Sequence, residues 1–82
     1  MNTFHDRKSQ ICRQILDAEE AYLNVYYQIV DMIEDGLLSF DEYNYISNLH
    51  LNTADVLTEN IMKIIKFLNK LDEQKKNSSL EG

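Results

Sequence analysis

Apolar residues recur near the start of the chain at alternating spacings of four and three: Ile11, Ile15, Ala18, Tyr22, Val25, Ile29 and Met32. The alternation predicts one long helix from about residue 3 to 35, roughly 48 Å at 1.5 Å per residue. A second stripe, Cys12, Leu16, Leu23, Tyr26, Val30 and Ile33, flanks the first. Together they make an apolar surface wider than one partner helix covers, so at least two neighbours are expected. Ala54, Leu57, Ile61, Ile64, Leu68 and Leu71, with Ile65 beside them, follow the same alternation. They predict another long helix over about 53–75, opened by Asn52 or Thr53 as cap. Between the two, Phe40, Tyr43, Ile46 and Leu49 at intervals of three predict a short middle helix over about 39–48. Residues 77–82 have no periodicity and are expected to form a flexible tail.

The expected fold is therefore all-α: a helical hairpin of two long helices with a short middle helix, forming a single helical domain over 1–76. Composition agrees, since proline is absent and glycine occurs only at Gly36 and Gly82, leaving no turn punctuation for a set of strands. Chains of this size rarely draw more than about 3–5 kcal/mol from one core, so a dimeric helical bundle is expected. The greasiest stretch, residues 61–68, is interrupted by Lys63 and Lys66 and falls well short of the ~20 residues of a membrane span. Cys12 has no partner for an internal disulfide and the start of the chain lacks a signal-peptide pattern, which gives a cytoplasmic location as the expectation.

The segment between the first two helices, DMIEDGLLSFDEY, can be aligned with a twelve-residue calcium loop beginning at Asp31. Asp31, Asp35, Gly36, Leu38, Ser39 and Glu42 fit the EF-hand pattern, but Ile33 occupies a position that needs an oxygen ligand. A turn accounts for the residues with fewer costs. Gly36 supplies a left-handed residue after the first helix. Ser39 and Glu42 have the spacing of a capping box, and Leu38 and Tyr43 that of a hydrophobic staple.

Catalytic chemistry finds little support. His5 and His50 have no second His or Cys at metal-ligand spacing, and Cys12 lies on an apolar stripe. The acid pairs Glu19-Glu20, Glu34-Asp35 and Asp41-Glu42 are adjacent on helices, where neighbours point apart. No phosphate loop or nucleophile–base pair accompanies them. The expectation is a protein that is not an enzyme, with no cofactor and no metal.

Charge changes the picture. From Gln14 to Met62 there is no Lys or Arg, while Asp17, Glu19, Glu20, Asp31, Glu34, Asp35, Asp41, Glu42, Asp55 and Glu59 give that segment a charge of −10. The bases lie at the ends: Arg7, Lys8 and Arg13, then Lys63, Lys66, Lys70, Lys75 and Lys76. An antiparallel hairpin would gather bases at one pole and acids at the other. All five tyrosines lie in the acidic segment; Tyr22, Tyr26 and Tyr43 fall on the stripes, whereas Tyr27 and Tyr45 are the surface candidates. With a net charge of −6, direct binding to DNA or RNA is disfavoured and a basic partner is favoured. The ten acids and Tyr27 and Tyr45 are thus the candidate partner-binding residues.

The short chain, its Asn, Ile, Lys and Tyr usage and the acidic block from Asp17 to Glu59 resemble small phage-encoded host-takeover proteins, including acidic DNA mimics. The resemblance implies an inhibitor that occludes the nucleic-acid surface of a bacterial protein without catalysis. Ten charges over about 30 Å are spaced at roughly 3 Å, near the ~3.4 Å between phosphates along one DNA strand. The competing expectation is a structural or regulatory module that docks on another helix through the seam of Ile11 to Met32 and Leu57 to Leu71.

Overall fold

A computed structural model describes residues 3–81, with side chains through residue 76. It is an antiparallel hairpin of two helices, α1 (Phe4–Glu34) and α2 (Phe40–Glu81), with no strand among the described residues. Thr3 caps α1: its extended backbone lets Oγ1 accept the Asp6 N–H at 3.2 Å.

The turn reads as its residue types predict. Gly36 is left-handed, with φ +76°. The Leu37 N–H reaches the Met32 carbonyl at 2.9 Å and the Gly36 N–H reaches that of Ile33 at 3.1 Å, the two bonds of a Schellman motif. At the start of α2 the Ser39 N–H donates to Glu42 Oε1 at 2.8 Å, and the Glu42 N–H donates to Ser39 Oγ at 3.2 Å. This capping box holds the Glu42 carboxyl below the usual carboxylate range, first through the Ser39 amide. Glu42 is thus engaged by the turn, and Asp31 is helical, its carbonyl bonded to the Asp35 N–H. Nothing lies within 4 Å of where a Cβ on Gly36 would sit, so an added side chain has room but not the backbone angle it prefers. Gly36→Ala is expected to cost about 1–2 kcal/mol in denaturant unfolding, and Gly36→Asn less.

The separate middle helix is not formed. α2 runs without a break through residues 49–53, where the sequence pattern predicts a boundary. Asn52 and Thr53 cap a helix only where the chain has already left helical geometry, and no Gly or Pro forces it to do so here. The inward row is also continuous across the expected break: Tyr43, Ser47, His50, Ala54, Leu57 and Ile61 step by four and three. Ser47 and His50 are buried polar residues, which hid that continuity, while Phe40, Ile46 and Leu49 face solvent. The helical backbone also continues into the region expected to be a flexible tail, as far as Glu81. The tail's side chains and Gly82 lie outside the described residues.

α1 packs on α2 along Phe4, Cys12, Ile15, Glu19, Tyr22, Tyr26 and Ile29, a row lying between the two stripes read from the sequence. Tyr22 stacks on His50, with ring centroids 4.5 Å apart, and the Tyr26 and Tyr43 hydroxyls meet at 2.9 Å. Ile29, Ala54 and Ile61 are the buried apolar residues, and no described side chain is below 2% exposed. The hairpin measures 64 × 22 × 9 Å, one helix thick, with a radius of gyration of 19.0 Å. A compact domain of this length would have about 12 Å. Among the described residues α2 alone covers α1, and much of the wide apolar surface of α1 stays open.

Candidate interaction surface

Residues seven apart stay on one side of a helix, drifting about 20° per step, so the rows on each helix can be assigned to the broad faces of the hairpin. One face is fixed by a cavity of about 390 Å³ lined by Leu23, Asn24, Tyr26, Tyr27, His50, Leu51 and Ala54. It places the Leu16–Leu23 row of α1 and Leu51 of α2 on the same side. Two polar bridges between the helices join them there: Thr58 Oγ1 donates to Glu19 Oε2 at 2.7 Å, and Lys8 Nζ donates to Asn69 Oδ1 at 3.0 Å.

The edges of this face are acidic and aromatic. On α1, Glu20, Tyr27 and Glu34 form one seven-residue row; on α2, Tyr45 and Glu59 belong to another, with Asp41 and Asp55 one row further in. Tyr27 and Tyr45 are 67% and 68% exposed, while Tyr22, Tyr26 and Tyr43 are half-buried. The Tyr43 hydroxyl bonded to Tyr26 raises the Tyr26 phenol above its ordinary value.

The hairpin does not bring all ten acids together. Asp35 and Glu42 fall on rows toward the opposite face, Asp17 and Asp31 share the outer row of α1 with Asn24, and Glu19 is half-buried against Thr58. Glu59 pairs with Lys63 at 3.3 Å. Among the described side chains Asp17, Glu20, Asp31, Glu34, Asp35, Asp41 and Asp55 have no ion pair.

No family model, curated protein or solved structure matches the chain.

The open end of the hairpin is organised differently. Asp72 is buried, 5% exposed, and its Oδ2 accepts from His5 Nδ1 at 2.8 Å and Lys8 Nζ at 2.9 Å, with Lys76 at 4.0 Å. The His5 and Lys8 hydrogen bonds hold the carboxyl at a pKa of about 2. Lys75 Nζ lies 5.2 Å from the centroid of the Phe4 ring. The lysines of α2 therefore meet the bases of α1 at one pole, and the turn acids occupy the other. Asp72 lay outside the candidate residues because a lone acid among lysines reads as surface until the helices are paired. No group of His, Cys, Asp and Glu suited to a metal occurs among the described residues.

Proposed function

We propose that this protein is a non-enzymatic interaction protein, acting as a homodimer, whose acidic and aromatic face binds a basic, nucleic-acid-binding protein and blocks it by occupying its nucleic-acid surface. The observation that carries the reading is the exposure of Glu20, Glu34, Asp41 and Asp55 without cationic partners among the described side chains, beside the exposed rings of Tyr27 and Tyr45. Unpaired carboxylates suit a partner rich in Lys and Arg, and the tyrosines add area that can be buried without losing the phenol's hydrogen bond. Occlusion requires overlapping footprints and a complementary potential; it does not require the charge spacing of DNA to be copied.

Steering by such a face makes association fast and dependent on salt. Reversal of Glu20, Glu34, Asp41, Asp55 and Glu59 to lysine is expected to abolish capture of the basic partner while helicity, followed by circular dichroism, is retained. Capture by the reversed chain at undiminished affinity would contradict the proposal.

A further inference from the structure

The face opposite the acidic one is apolar and uncovered. Ile11, Val25 and Met32 recur there on α1 at multiples of seven, and Ile46, Ile64 and Phe67 lie on the matching side of α2. Each is at least 36% exposed, and Phe67 is 60% exposed. We propose that a second copy of this chain covers this face in the antiparallel sense, the turn of each hairpin lying over the open end of its partner, to make a four-helix bundle.

Three observations select that occupant and that orientation. The first is size: over the 31 residues of α1, about 46 Å at 1.5 Å per residue, and a width of 22 Å, the two-helix face exceeds the ~800 Å² per partner of a stable interface. The second is the polarity of the hairpin. Stacking with both turns at one end would superpose two segments of charge −10, whereas the antiparallel sense sets the lysines of residues 63–76 against the acids of the turn.

The third is self-complementarity along the rows. A two-fold axis passing near Ala21 and Tyr22 sets Ile11 against the partner's Met32 and Arg7 against the partner's Asp35. An axis near Val56 sets Ile46 against the partner's Phe67 and Glu42 against the partner's Lys70. The two axes lie within about one and a half helical turns of each other: the Glu19–Thr58 contact sets Ala21 level with Val56, and the Tyr22–His50 contact sets it about five residues away. Such a match of apolar and oppositely charged positions is what an isologous interface demands. The two acidic faces then point outward on opposite sides of the bundle.

This inference rests on the homodimer of the proposed function but not on its acidic face, so a mass measurement can fail independently of partner capture. Light scattering coupled to size exclusion is expected to give twice the 9.7 kDa of the chain. Phe67→Glu is expected to shift the mass to that of the monomer. Arg7→Asp places two acids together at each end and is expected to weaken the dimer roughly tenfold, and Arg7→Asp with Asp35→Arg to restore it. The exchange acts across the interface, because Arg7 and Asp35 lie at opposite ends of α1, and neither residue is buried. A monomer at every concentration, a dimer indifferent to Phe67→Glu, or failure of the exchange to restore association would overturn the proposal.

Discussion

Ile61→Ala is expected to remove most of the fold's stability, a loss of about 2–5 kcal/mol in denaturant unfolding followed by circular dichroism. Ile61 is 3% exposed, the least of the buried apolar residues, and it sits on the α2 row that faces α1. Truncation removes methylene groups that are out of water and leaves a cavity that two rigid helices close only partly. The chain has little to lose, since a single core of this size supplies about 3–5 kcal/mol. Tyr45→Ala removes a larger side chain from a position 68% exposed and is expected to change stability by about 0.5 kcal/mol or less. Equal effects from the two variants would show that the helices are not paired along the row containing Ile61.

Asp72→Asn is the second change with a large expected effect. Asp72 is the buried junction between the ends of the two helices, and the substitution removes its charge while leaving His5 and Lys8 in place. Lys8, whose side chain is only 14% exposed, would then be held in the packed region without its counter-ion. The thermal midpoint is expected to fall further than for loss of any exposed acid. The pH dependence has a definite sign. The carboxyl is lowered from 3.8 to about 2 on folding, so its contribution is complete above the unfolded value and disappears as pH falls through that interval toward 2. The wild-type protein should lose stability across that acid range, and the Asp72→Asn variant should lose less. Matching acid limbs for the two chains would contradict the assignment.

The features legible in the sequence were those fixed by local chemistry. Gly36, Ser39 and Glu42 specify their turn through backbone angle and hydrogen bonds made within a few residues, and the observed bonds use those groups. The two long helices were legible from periodicity. Their pairing was not, because α1 packs between its two apolar stripes and α2 carries the polar residues Ser47 and His50 on the row that faces α1. Those two polar residues made one helix read as two. The acidic segment was visible as a block of charge, but its division between two faces depends on the helical phase that the pairing sets. Asp72 follows the same logic: its burial is a consequence of where the open ends meet, and no local signal marks it.

Occlusion of a nucleic-acid surface is tested by capture of proteins from bacterial lysate on the immobilised chain at low and high salt, with DNA or RNA as competitor and mass spectrometry to identify what is retained. The expected result is a basic nucleic-acid-binding protein that is held at low salt, released at high salt, displaced by nucleic acid, and lost when the five acids are reversed to lysine. A partner that withstands salt and competitor, or one that the reversed chain retains, would contradict it and leave the acidic face as a solvated surface.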